Sequence, residues 1–225
     1  MIAPQLIRVI SLTKRPAGHT PAAFWQQQRA RANETNWCAA LQQSGSIMWT
    51  QSQPINTEYA AQDPVADWVD EYDFADIASA ESWRRQLFAH TPDALMALTD
   101  VVIAKACPAH LNPNSLTRVL RFAKKREDLT TPQFRRYWKD SHAPIACASP
   151  FLSHYVQLHV NDWEYQQQPP KWDGFTLSCF TAIEDISAHA QHPAGAEAAK
   201  DTQHFLSPIP SPRLIIQCAA TIQPT

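Results

Sequence analysis

"RVISLTKRPAGHTPAAF" (residues 8–24) and "RVLRFAKKREDLTTPQF" (residues 118–134) lie 110 positions apart and superpose without a gap. Five positions coincide (Arg8/Arg118, Val9/Val119, Lys14/Lys124, Thr20/Thr130, Phe24/Phe134), where ordinary composition gives about one. The two stretches also agree in order. Each opens on a short β-branched run (6–14 and 116–124), passes a turn and reaches a threonine–proline pair, Thr20-Pro21 and Thr131-Pro132. Threonine as N-cap with proline at the first helical position marks a helix start, because the N–H that proline lacks has no intrahelical partner there. In the second copy Phe134, Tyr137 and Trp138 fall at i, i+3 and i+4, one face of a packed helix.

The pattern continues outward from both starts. A second strand follows ("SIMWTQS" from 46, "SHYVQLHV" from 153), then a third ("WVDEYDF" from 68, "GFTLSCF" from 174), a helical stretch, and a last strand ("DVVIAKA" from 100, "RLIIQCAA" from 213). The order is βαββαβ, twice. It predicts an α+β fold of two ferredoxin-like units, residues 1–108 and 109–225, with "CPAHLNPNS" (107–115) as the linker. A four-stranded sheet with both helices on one face leaves the other face bare. Two such sheets cover each other by closing into an intrachain dimeric α/β barrel, whose lumen is expected to hold a cavity. Because the halves pair within the chain, a monomer or weak homo-oligomer is expected.

Composition narrows the function. The chain has 225 residues, 44% of them hydrophobic, with only 18% charged and a formal charge of −2. No basic stripe suits a phosphate backbone or an anionic membrane, so neither nucleic acid nor membrane is an expected partner. No apolar run approaches the roughly 20 residues of a spanning helix, and the opening "MIAPQLIRVISLTKR" reads as a strand; a cytoplasmic location is expected. The five cysteines are odd in number and form no Cys-x-x-Cys pair, which argues against a disulfide framework or a thiolate zinc site. There is no glycine-rich phosphate loop and no Gly-x-Ser-x-Gly elbow. His189 and His192 lack a third ligand at fixed spacing, so no metal is expected. No cofactor is expected either.

His142, in "FRRYWKDSHAPIA" (134–146), is the leading catalytic candidate. Pro144 biases Ala143 away from helical geometry and so places the histidine at a helix end or kink. There it serves as a general acid/base, or simply caps the helix. In the strand after it, Tyr155, Gln157 and His159 alternate with His154, Val156, Leu158 and Val160. The more apolar set is expected to face the helices and the first set the barrel interior, making Tyr155 and His159 catalytic candidates and Gln157 a substrate contact. Arg121 is either an oxyanion partner or a surface arginine. Trp49 belongs to an aromatic wall or to the core. His204, before Phe205-Leu206, is a candidate at the pocket mouth. The halves differ: His142 falls over Ala32, and aligning Asp67 with Asp173 sets Glu71 over Leu177 and Asp73 over Cys179. Glu71 and Asp73 are therefore substrate-binding candidates in a first half that has lost the histidine, and one working pocket is expected.

"KKREDLTTPQFRRYWKDSHAP" (124–144), "WDGFTLSCF" (172–180) and "HPAGAEAAKDTQHFLSP" (192–208), in that order, resemble EthD-domain proteins of the dimeric α/β-barrel superfamily. The resemblance covers the second half; the first half shares only the opening strand and helix start. It implies a barrel of paired ferredoxin-like units and cofactor-free chemistry on small hydrophobic or aromatic molecules, from isomerisation and dehydration to oxygenation. The leading expectation is a cofactor-independent lyase or isomerase acting on a carbonyl-bearing or phenolic metabolite, with His142 moving the proton and Tyr155, His159 or Arg121 polarising the oxygen. The alternatives are a non-catalytic small-molecule binder and a haem-binding or oxygenase-type relative.

Overall fold

The computed structural model describes residues 6–55, 63–110 and 117–223. The first repeat runs β1 (Leu6–Thr13), α1 (Pro21–Ala30), α2 (Thr35–Gln43), β2 (Met48–Pro54), β3 (Trp68–Phe74), α3 (Ile77–His90), α4 (Asp93–Met96) and β4 (Thr99–His110). The second runs β5 (Thr117–Ala123), α5 (Thr131–Tyr137), a π turn (Trp138–His142), α6 (Ala143–Cys147), β6 (His154–Val160), α7 (Asp162–Gln167), β7 (Gly174–Phe180), α8 (Glu184–Gln191), α9 (Pro193–Asp201) and β8 (Arg213–Ile222). The strands hydrogen-bond in the order β1-β3-β2-β8-β5-β7-β6-β4, a closed eight-stranded barrel. The described pairings β1–β3, β2–β3, β2–β8, β5–β7 and β6–β7 are antiparallel.

Two compact units divide the chain, Met1–Lys105 with Ile216–Thr225, and Ala106–Ile215. Of the expected linker, residues 107–110 belong to β4, and 111–116 fall outside the described residues.

The repeat is visible in its contacts. Asp67 N–H donates to the Thr13 carbonyl at 2.8 Å and Asp173 N–H to the Ala123 carbonyl at 2.8 Å. Each buried carboxylate then accepts a backbone N–H from the basic turn, Arg15 and Lys125, both at 3.0 Å. Lys14 and Lys124 add ion pairs at 3.3 and 3.4 Å. Charge-assisted bonds of this kind fix a turn more firmly than neutral ones. In α1 the cap is Thr20, as expected, with its hydroxyl accepting from Ala23 N–H at 3.3 Å. In α5 it is Thr130 rather than Thr131. Gln133 decides this, since its side chain accepts the Thr130 N–H at 2.9 Å and closes a capping box one residue early.

Within the second unit, β5, β7 and β6 place Val119, Arg121, Ala123, Tyr155, Gln157, His159, Gly174, Thr176 and Ser178 on one face. The other face carries Leu120, Phe122, Val156, Leu158, Phe175 and Leu177, all buried. Trp138 lies over Gly174: a β-carbon there would come within 2.6 Å of the indole and 2.6 Å of the Leu158 carbonyl. Gly174→Ala is therefore expected to lower stability by about 1–3 kcal/mol, the usual penalty of overpacking, measured as a lower urea midpoint at unchanged slope.

A candidate active site between sheet and helices in the second unit

Pro144 shapes the centre of the site. It has no N–H to return to the Asp140 carbonyl and its ring crowds that turn, so the helix widens for one turn and Ala143 N–H bonds the Trp138 carbonyl five residues back. Gln157 Nε2 donates to the same carbonyl at 2.7 Å. The helix then resumes as α6, so His142 neither ends nor caps it. It is 6% exposed, and its Nδ1 lies 2.8 Å from Asp201 Oδ2 at the end of α9. Tyr137 Oη donates to the other carboxylate oxygen at 2.8 Å.

This arrangement sets the tautomer. A carboxylate can only accept, so Nδ1 carries the proton and Nε2 presents a lone pair. Among the described residues Nε2 has no hydrogen-bond partner. Burial holds the imidazole below its ordinary value of 6.5, and the Asp201 carboxylate pulls against that shift. A neutral, oriented imidazole is the form in which histidine acts as a base.

His142 lines a pocket of about 410 Å³, within the size range of small-molecule sites. Its floor is the sheet face bearing Arg121, Tyr155, Thr176 and Ser178, and its roof is Trp138, His142 and Ala146 with the small residues Gly195, Ala198 and Ala199 of α9. Those small side chains leave the space. Gly195 is fixed by packing, since a β-carbon there would meet the His189 carbonyl at 1.8 Å. Phe205 forms one side, its ring centroid 4.8 Å from that of His142. The Tyr155 hydroxyl is buried without a hydrogen-bond partner, and burial pushes its pKa up to about 12. It therefore stays protonated, a donor facing the space.

The segment from Arg126 to Ile209 matches the model of the EthD domain. This part of the chain is an EthD domain. The match covers the turn, the π turn, His142, β7 and α9, and so contains both members of the His142–Asp201 pair.

The EthD domain brings together only some of the expected residues. His142, Tyr155 and Arg121 line its pocket. Two expectations about the strand face are corrected: Tyr155, Gln157 and His159 look toward the helices, and the cavity lies between sheet and helices instead of in the barrel lumen. The reason is the π turn, whose carbonyl and indole need polar and flat partners. Gln157 meets the carbonyl, and His159 stacks on Trp138 with centroids 4.9 Å apart and planes 5° apart. His159 Nε2 lies 3.0 Å from Gln157 Oε1, and neither residue lines the pocket. His204 is exposed, beside Tyr137. His192 Nδ1 caps α9 by accepting Ala194 N–H at 3.2 Å. Among the described residues no group of three or more potential metal ligands occurs. Asp201, Thr176 and Ser178 went unread. Only the change from Thr91 to Asp201 at the 110 offset could have flagged the first.

In the first unit the matching place is filled. Gln51 Nε2 bonds the Gln28 carbonyl at 3.0 Å, as Gln157 bonds that of Trp138. Where the EthD domain has Tyr155 and Ser178, the first unit has Trp49 and Tyr72, stacked with centroids 5.7 Å apart. Trp37 and Trp83 complete the cluster. Trp49 Nε1 donates to buried Asp70 at 2.9 Å, so Trp49 is core. Glu71 and Asp73 are instead paired with Arg8 on the neighbouring strand, at 2.5 and 2.7 Å. Thr91, the counterpart of Asp201, meets Arg31, one residue before the counterpart of His142, at 3.4 Å.

Solved structures share the fold over nearly the whole chain. An anthrone oxidase-like protein superposes with a TM-score of 0.66 at 13% identity, covering 99% of this chain and 94% of its own. A protein described as a candidate monooxygenase of Lactobacillus acidophilus does so at 0.51 and 10%, covering 98% and 97%. A chlorite dismutase variant of Candidatus Nitrospira defluvii gives 0.55 and 10%, covering 94% and 91%. No curated protein matches the sequence. These names overturn the expected cofactor-independent lyase or isomerase: the neighbours are named oxidase-like, monooxygenase and chlorite dismutase, which matches the haem-binding or oxygenase-type alternative better. Proton transfer by histidine is common to both classes, which is why sequence alone chose wrongly. No helix among the described residues is long and apolar enough to cross a membrane.

Proposed function

We propose that the EthD domain is an oxygen-dependent oxidase or monooxygenase for a small, flat, phenolic or enolisable aromatic molecule. The carrying observation is the buried His142–Asp201 pair, which offers a neutral imidazole nitrogen to a pocket walled by Phe205 and Trp138. His142 Nε2 takes the proton from the acidic C–H or O–H of the substrate, and Tyr155 donates to the oxygen that gains charge. The resulting anion is electron-rich and gives its electrons to dioxygen. For anthrone as probe, one dioxygen yields anthraquinone and one water, with two hydrogens leaving the ring carbon. The chain itself is built as two ferredoxin-like repeats, 1–108 and 109–225; the ring order supports this, since β4-β1-β3-β2 is followed by β8-β5-β7-β6.

Oxygen uptake with anthrone, followed by absorbance of the quinone, tests the reading. Uptake above the spontaneous rate that disappears in His142→Ala supports it, and no uptake with anthrone or with 1-naphthol would remove it. The pH profile follows from the shift. The working form is unprotonated, so kcat/KM rises with pH and levels off, with an inflection below 6.5. Since the unfolded chain binds the His142 proton more readily than the folded one, stability contributed by this group is present above 6.5 and lost as pH falls through the lower folded value.

One observation favours a second reading, in which the same imidazole holds haem, as the superfamily resemblance implies for some members. His142 would be the residue to hold the haem iron, since among the described residues its Nε2 has no hydrogen-bond partner and its Nδ1 is anchored by a carboxylate. Bound haem would supply redox chemistry at its iron, with His142 as the residue that holds it. A Soret band on adding hemin, lost in His142→Ala, identifies this case, whereas oxygen uptake by hemin-free protein identifies the first.

A further inference from the structure

The floor of the pocket is one-sided in its chemistry. Among the described residues no aspartate or glutamate lines it. Arg121 projects from β5 on the pocket face, opposite Thr176 in the ladder, and Tyr155 lies opposite Ser178 on the same face. Cross-strand neighbours of this kind stand about 5 Å apart, so the four side chains form one patch. Arg121 has no ion pair or hydrogen bond among the described residues, and the charges acting on it are those of Arg213 and Tyr155, with no carboxylate among them. Tyr155 is 3% exposed, yet its hydroxyl has no partner. Nδ1 of His189, at the same wall, is likewise buried and unbonded. The patch therefore holds an exposed guanidinium without a counter-ion, at the open side of the pocket, beside a buried hydroxyl whose nearest polar neighbours, Gln157 and Trp138, lie beyond hydrogen-bond distance. Among the described residues no carboxylate in the pocket answers the guanidinium.

We infer that this wall is a carboxylate subsite, with Arg121 and Tyr155 as its donors, so that the substrate of the EthD domain is an aromatic acid. Guanidinium and carboxylate match in charge and in fork geometry, and a phenol on the neighbouring strand satisfies the remaining lone pair. Held there by its acid group, a flat ring extends between Phe205 and the small face of α9 toward His142. The inference rests on the proposed aromatic chemistry for its reaction but on the patch alone for its binding.

Calorimetry with 2-naphthoate and its neutral isostere 2-naphthamide, on the full chain at pH 7, reads the subsite directly. The naphthoate is expected to bind about 10-fold tighter or more, with a preference that weakens as salt rises. Arg121→Gln is expected to erase the preference, Tyr155→Phe to reduce it, and His142→Ala to leave it in place. Equal affinity for acid and amide, or a preference that survives Arg121→Gln in protein whose near-UV spectrum is native, overturns the inference. The two proposals separate cleanly in the same samples. Preference for the acid with no oxygen uptake on 3-hydroxy-2-naphthoate or anthrone would count against the oxidase reading and leave the subsite standing. Uptake on neutral phenols without any preference for acids would do the reverse.

Discussion

His142→Ala is expected to lower oxygen uptake by about 10²- to 10⁴-fold, the usual worth of a positioned general base, while leaving the unfolding midpoint within reach of wild type. Asp201→Asn is the sharper partner experiment. The amide keeps the shape of the carboxylate, but it no longer demands the proton on Nδ1, so part of the imidazole turns over to the tautomer in which Nε2 is blocked. A loss of about 10²-fold or more is expected, by analogy with the orienting aspartate of serine hydrolases. Tyr137→Phe leaves Asp201 with one donor fewer and is expected to cost much less. Double replacement of His142 and Asp201 should be no worse than His142→Ala alone, because the carboxylate acts only through the imidazole. Additive losses would mean that Asp201 has a separate role.

Trp138→Ala is expected to have the largest effect on stability, about 3–5 kcal/mol. Its indole is 1% exposed, stacks on His159, packs on Phe134 with centroids 5.1 Å apart, and lies over Gly174. In a chain of this size each kcal/mol moves the thermal midpoint by roughly 2–4 °C, so a drop of several degrees is expected. The reason for Gly174 can be isolated in the same series. If glycine is there to admit the indole, Gly174→Ala should cost little once Trp138 is alanine, with a coupling of about 1 kcal/mol or more between the two sites. Strict additivity would assign the glycine to the Leu158 carbonyl instead.

Much of this architecture is legible from residues alone, and the failures have physical causes. The repeat could be read because Asp67 and Asp173 must each receive a backbone N–H and a lysine from the same basic turn, so the sequence around them is constrained twice. The loss of the first pocket could be read at Ala32, but how it is filled could not, since tryptophan is equally at home in a core and on a ligand. The face of β6 was misjudged because Tyr155, Gln157 and His159 look polar by type. Beneath a π turn they are what an indole and a carbonyl with a second lone pair require. The partner of His142 was invisible for a simpler reason: Asp201 lies 59 residues away, and helix ends bearing an aspartate are common. Arg121 was left open between pocket and surface, and its lack of a counter-ion emerges only when its neighbours are in place.

The pairing of His142 with Asp201, leaving a neutral Nε2 turned to the ligand space, is tested most directly by nitrogen NMR of the labelled imidazole through a pH titration. The predicted result is a neutral ring protonated on Nδ1 that titrates below 6.5. A ring protonated on Nε2, or one still charged above pH 7, would contradict it.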